Sequence, residues 1–190
     1  MMDKIKNWIV KKPDLSFAIL LAICVYSYFA FTNDFFATQR TGYAIMERFA
    51  VLGLVGLALT LCIIAGEIDL SIGSNAALAA VIVVRFTDSL GAVTALLLAI
   101  SVSTLIGAIQ GYFIAYLRVR AIVLTVGTLM LLRGVALFAA EEKTVMLTDF
   151  RVPDFISMKV LTFFSPASLL VIAMFIVVGL FMSFTRYGRE

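Results

Sequence analysis

Gly66 to Ser74, GEIDLSIGS, interrupts two apolar runs, Phe49 to Ala65 and Asn75 to Val84, with two carboxylates, two serines and two glycines. Both neighbouring runs read as membrane-embedded, and there an ionisable side chain such as Glu67 or Asp69 costs roughly 2.5–3.5 kcal/mol even on lenient insertion scales. Irregular backbone at that depth is tolerated only where protein or a water-lined cavity covers its N–H and C=O groups. The apolar run that follows, Ile72 to Val84, is ~20 Å long at 1.5 Å per residue, short of the ~30 Å hydrocarbon core. Two readings follow. In one, the stretch belongs to a broken or half-length helix, the kind of break that sets helix ends and free backbone groups beside a translocated solute. In the other, it is a cytoplasmic turn between two ordinary spans, with Asp69 as N-cap of a helix from Leu70 onward. Under the first reading Gly66, Glu67, Asp69, Ser71, Gly73 and Ser74 are candidate translocation or gating residues; under the second the stretch is an ordinary connection.

Composition sets the class around this stretch. The 190-residue chain is 63% hydrophobic and 14% charged, with a mean hydropathy of +1.09, against roughly 45–50% apolar and 25% charged in soluble domains. The expectation is an all-α, polytopic helical membrane protein forming a single transmembrane domain over residues 1–190. The net charge of +3 does not indicate a nucleic-acid partner, because the basic residues flank hydrophobic runs instead of forming a patch. There is no His, and the two cysteines, Cys24 and Cys62, each lie inside an apolar run. That spacing offers neither a zinc site nor a disulfide framework.

In chain order, Lys4, Lys6, Lys11 and Lys12 precede the apolar run Leu15 to Phe31, which reads as an uncleaved signal anchor with a cytoplasmic N-terminus. A polar turn, Thr32 to Tyr43, leads to the second span, Phe49 to Ala65, whose Gly53 and Gly56 permit close helix contact. Beyond the interruption, Arg85 to Gly91 reads as a short external loop. Ala92 to Tyr116 is the next span and carries Gly107 and Gly111 at the GxxxG spacing that lets backbones approach. Leu117 to Ala121, with Arg118 and Arg120, reads as a cytoplasmic loop. Ile122 to Ala139 follows, interrupted by Arg133-Gly134. Ala140 to Ser165 is a long polar stretch, read as external and holding Lys143 and a short surface helix. Pro166 to Phe184 is the last span. The count is about six hydrophobic segments with both termini inside.

The chain contains no GxxxxGK[ST], no GxSxG and no nucleophile–His pairing, so ATP hydrolysis is not expected here and the chain is not read as an enzyme. The candidate intramembrane charges are Glu67, Asp69 and Arg133, the last able to bridge to a carboxylate or to snorkel outward. Thr125 and Thr128 are hydroxyl-bearing candidates at a helix contact, either for solute or for ordinary interhelical hydrogen bonds.

Three ordered motifs carry a resemblance. GEIDLSIGS resembles the G-G-I-D-L-S-V-G-S signature of the membrane permease subunit of bacterial ATP-binding-cassette importers for ribose and related sugars, including autoinducer-2 permeases. LRVRAIVLTVGTLMLLRG, Leu117 to Gly134, is similar to that family's arginine loop followed by Thr-Leu-Gly-Thr and Arg-Gly. TRYGRE, Thr185 to Glu190, resembles its T-R-x-G-R. The chain departs from the pattern at Glu67, where Gly is usual, and at Arg120, where Pro is frequent.

The resemblance implies a permease subunit in the bacterial inner membrane. It also implies a second permease subunit, identical or different, a cytoplasmic ATPase that binds ATP and Mg, and an extracytoplasmic sugar-binding protein. The chain itself would hold no cofactor or metal. By the same resemblance it corresponds to the N-terminal part of a permease, truncated after Glu190, and would not dock its ATPase alone. Two alternatives stand beside it: an ion-coupled secondary transporter titrating Glu67 or Asp69, and a non-transporting accessory subunit.

Overall fold

The computed structural model describes residues 13–141, 151–160 and 163–185. The basic residues Lys4 to Lys12, Lys143 and the Arg186 to Glu190 end of the third motif lie outside them.

The described residues form seven helices: α1 (Pro13–Thr32), α2 (Gln39–Ile64), α3 (Ile72–Leu90), α4 (Ala92–Ala115), α5 (Ala121–Ala139), α6 (Arg151–Ile156) and α7 (Pro166–Phe184). The architecture is all-α, as composition predicts. Five of these helices, α1, α2, α4, α5 and α7, are long and apolar enough to cross a membrane. α3 is not among the five, because Ser74 and Asn75 in its first turn and Arg85 and Asp88 in its last turns lower its hydropathy.

Local chemistry sets the helix boundaries. Pro13 opens α1, where its missing N–H costs nothing. Thr38 caps α2 by accepting from the Thr41 N–H. Ser165 and Ser168 form a reciprocal capping box on α7, with Pro166 in the first turn. Gly91, at φ +81°, is the single residue between α3 and α4 and folds them into a hairpin. α4 is held close by Ala95 and Ala99, whose small side chains are fully or almost fully buried. The core lies where Leu78 and its neighbours Val81 and Ile82 on α3 meet Ile106 on α4 and Leu132 and Ala136 on α5.

A second pairing joins α2 to α7. Here Gly53 lets the helices approach: a Cβ on it would stand 3.3 Å from Val171 and from the Phe49 ring, whereas one on Gly56 would meet nothing within 4 Å. Phe49 and Phe175 stack across the same seam. At the start of α2 the Tyr43 hydroxyl donates to the Ser157 carbonyl, and the Lys159 ammonium lies 5.1 Å from the centre of the Tyr43 ring.

Two of the expected interruptions are helical. Arg85 to Leu90 continues α3 instead of forming a loop, so the helix has 19 residues and is ~28 Å long, not half-length. The reason is that nothing between Val84 and Gly91 breaks a helix; a charged residue ends an apolar run without ending the hydrogen-bond ladder. α5 likewise runs unbroken through Arg133-Gly134, since one Gly costs a helix only ~1 kcal/mol. The short helix expected in the polar stretch is present as α6.

Candidate functional site

α2 stops where Gly66 makes it stop. Gly66 has φ +82°; its N–H donates to the Ile63 carbonyl and the Glu67 N–H donates to the Cys62 carbonyl. These are the paired bonds of a Schellman turn, whose left-handed residue favours glycine. The chain then runs without regular structure to Ser71 before α3 begins.

Asp69 organises the exit from this break. Its Oδ1 accepts from both the backbone N–H and the hydroxyl of Ser71, each at 2.7 Å. Asp69 is therefore not the N-cap of a helix from Leu70. It closes a tight turn two residues ahead, and Ser71, only 1% exposed, occupies the cap position of a helix that starts at Ile72. A short polar side chain bonding the backbone two residues on is an alternative to helix, which is why Leu70 stays outside.

Neighbouring helices cover the break from both sides. Gln110 on α4, itself buried, donates through Nε2 to the Ser71 hydroxyl at 2.9 Å. Thr125 on α5, 1% exposed, donates to the Ile122 carbonyl at 3.4 Å and, at a long 3.5 Å, to the Ile68 carbonyl in the break. Gln110 lies five residues before the end of α4 and Thr125 four residues into α5. The break is therefore tucked ~6–8 Å inside the level of the α4–α5 loop. Each polar contact also removes a buried group that would cost ~1–3 kcal/mol if left unpaired.

Beside the break is a cleft of about 690 Å³, lined by Cys62, Ala65, Glu67, Ile68, Asp69, Gly107, Gln110, Gly111, Ile114, Ala115, Ala121 and Thr125. Small-molecule sites occupy roughly 300–1,000 Å³ and combine apolar walls with a few polar groups. Gly107 and Gly111 do not pack another described helix, because a Cβ on either would meet nothing within 4 Å. They form open wall. A second cleft of about 570 Å³, lined by Gly66, Arg118, Val119, Arg120, Ile122 and Val123, shares Glu67, Ile68, Ile114 and Ala121 with the first.

The structure thus brings together Gly66, Glu67, Asp69, Ser71, Thr125, Gly107 and Gly111. Ser74 is buried in the first turn of α3, Gly73 is exposed on it, and Thr128 donates to the Leu124 carbonyl within α5. Arg133 lies eight residues beyond Thr125 on an exposed face of α5, ~12 Å along the helix. Of the two alternatives for Arg133, the bridge to a carboxylate at the break is not formed among the described residues, and the side chain is exposed. Arg85 makes an ion pair instead, its guanidinium 2.5 Å from the Glu141 carboxylate. Sequence reasoning does not single out Gln110, although a lone amide in a 24-residue helix whose other polar side chains are hydroxyls able to bond their own backbone is a signal: it needs a partner when buried.

The family model described as branched-chain amino acid transport system / permease component matches residues 43–190, which include the break and both clefts. Among curated proteins, the autoinducer 2 import system permease protein LsrD of Escherichia coli O157:H7 is 34% identical over 125 residues, covering 65% of this chain and 38% of that protein. The ribose import permease protein RbsC of Escherichia coli strain K12 is 29% identical over 133 residues, 70% of this chain and 40% of its own length. The inner membrane ABC transporter permease protein YjfF of the same strain is 30% identical over 135 residues, 69% and 41% respectively. The chain spans about two fifths of the length of these relatives. No solved structure matches it significantly.

Proposed function

This chain belongs to the branched-chain amino acid transport system / permease component family, and from that membership we propose that it forms part of the membrane permease of an ATP-binding-cassette importer for a sugar or sugar-like solute. The observation that carries this reading is the family match across residues 43–190, with a covered break and an adjoining cleft inside the matched region. Relatives named for ribose and autoinducer 2 import support the solute class.

In this reading the permease pairs with a second permease subunit, identical or different. A separate cytoplasmic subunit binds ATP and Mg and supplies the energy, and an extracytoplasmic binding protein delivers the solute. In this reading the N-terminus and the Arg118–Arg120 loop face the cytoplasm in a bacterial inner membrane, supported by the concentration of basic residues near those span ends. Gly66, Glu67, Asp69, Ser71 and Thr125 line or support the solute path, while Gly73, Ser74, Thr128 and Arg133 act from α3 and α5 on how the path opens.

Affinity purification of the tagged protein from bacterial membranes, followed by reconstitution in vesicles, tests the proposal. The expected result, from membranes in which the whole permease is assembled around this chain, is co-purification of an ATPase subunit and uptake of labelled D-ribose that needs ATP and the binding protein. Uptake driven by a proton or sodium gradient without ATP would instead support ion coupling through Glu67 or Asp69 and overturn the importer reading.

A further inference from the structure

The residues that follow α6 are clasped to the start of α2. The Tyr43 hydroxyl donates to the Ser157 carbonyl, and the Lys159 ammonium lies over the same ring. A Cβ on Gly42 would stand 2.7 Å from the Phe163 ring, so glycine is what lets that ring lie against the first turn of α2. The Val160 N–H donates to the Phe164 carbonyl at 3.1 Å, which turns the chain back before α7. Ser165 and Ser168, both buried, then fix where α7 begins. The segment is thus held level with the first turns of α2 and α7, whereas the break lies at the other end of α2.

What the clasp leaves exposed is apolar. Phe155, Ile156, Met158, Val160 and Phe163 are each exposed by 40% or more. We propose that residues 154–160, together with Phe163, form an interfacial anchor: they lie in the plane of the membrane at the end opposite the break, with these side chains seated among lipid headgroups and the upper acyl chains. Such a segment sinks its apolar side chains ~5–10 Å into the headgroup boundary and keeps its polar groups at headgroup level. Asp154, Ser157 and Lys159 supply those polar groups, and a lysine stem can lie along apolar surface with its ammonium in water. Two observations favour lipid over a protein partner. The patch adjoins the exposed Leu169 and Leu170 at the start of α7 and Phe49 on α2, two helices long and apolar enough to cross a membrane. Its two charges, Asp154 and Lys159, cancel, so it offers no field to steer a charged protein. Phe31 and Phe35, close before α2 in the chain, are also exposed, and aromatic residues gather where spans leave the hydrocarbon. This placement does not depend on the importer reading.

Trp8 is the one tryptophan of the chain, so Phe155→Trp in a Trp8→Phe background gives a single fluorescent reporter on the segment. The full chain is reconstituted in nanodiscs of phosphatidylcholine brominated either near the headgroup end of the acyl chains or near their methyl end. The inference expects several-fold stronger quenching by the first lipid than by the second, and little quenching by acrylamide from the water. Met158→Trp in the same background should behave alike, so misfolding of one variant does not decide the outcome. Efficient quenching by acrylamide with no effect of either lipid would put the segment in water. Absence of quenching by all three would mean that protein covers it, and stronger quenching from the methyl end would put it in the hydrocarbon core. Each of these three results overturns the inference.

Discussion

The two ends of α3 are built with the same device and different residues. At its N-terminal end α2 terminates on Gly66 at φ +82°; at its C-terminal end α5 terminates on Glu141 at φ +54°. In each case the residue after the helix turns left-handed and donates back into the last turn, Gly66 to Ile63 and Glu141 to Phe138. Glycine takes that conformation freely, while an L-residue bears roughly 1–2 kcal/mol. At Gly66 no side chain is present, and the residue lines the second cleft, beside Arg118 and Arg120. At Glu141 a side chain is present despite the strain, and its carboxylate meets Arg85 and ties α5 to the last turns of α3. The difference separates an end built to stay open from an end built to be tied.

The open end should show the larger response to mutation. Asp69→Ala removes the acceptor for two Ser71 donors in a site where Ser71 is 1% exposed. Each buried donor left unpaired costs ~1–3 kcal/mol, so unfolding titrations in detergent should register a loss of ~2–6 kcal/mol for the two together. Asp69→Asn keeps an oxygen acceptor and should lose less than half as much. Equal losses for the two variants would mean that the carboxylate's charge, and not its hydrogen bonds, holds the turn. Gly66→Ala comes next. Its Cβ would meet nothing within 4 Å, so any loss comes from the backbone alone, and ~1 kcal/mol is expected for an L-residue at that φ. A neutral result would show that the break can close α2 without a left-handed residue.

Much of this arrangement is legible in the residues. Apolar runs bounded by polar clusters locate the spans, and Gly66 and Asp69 mark the break because glycine and a short carboxylate punctuate helices for known reasons. The resemblance carried by GEIDLSIGS is borne out by the family match. What was not legible depended on packing between helices. Arg133 and Arg85 look equivalent as isolated cations near span ends, yet Arg85 finds Glu141 while Arg133 stands exposed on α5, eight residues beyond Thr125. That outcome follows from the parallel register of α3 and α5, in which Ile68 lies at Thr125 and Arg85 at Glu141, and no periodicity within one helix encodes a register between two. Gln110 was obscured for a related reason. GAIQG draws attention to its glycines, and only the position of Ser71 against α4 shows that the amide between them is the partner.

The tied end supplies the smallest expected effect. The Arg85–Glu141 pair is about half exposed, 49% and 54%, and exposed pairs contribute ~0.2–1 kcal/mol. Glu141→Gly removes that contribution and relieves the left-handed strain, but it adds backbone freedom to the unfolded chain worth ~0.4–1 kcal/mol. These contributions nearly cancel, so Glu141→Gly alone should leave stability within ~0.5 kcal/mol of the native protein. In an Arg85→Ala background there is no ion pair left to lose, and the same substitution should be more favourable by the coupling energy of the pair. A double-mutant cycle on the two positions isolates that quantity, and raising the ionic strength should shrink it because the pair is accessible to counterions. A coupling of zero at low salt would remove the tie as the reason a glutamate stands at φ +54°, and with it the contrast between the two ends of α3.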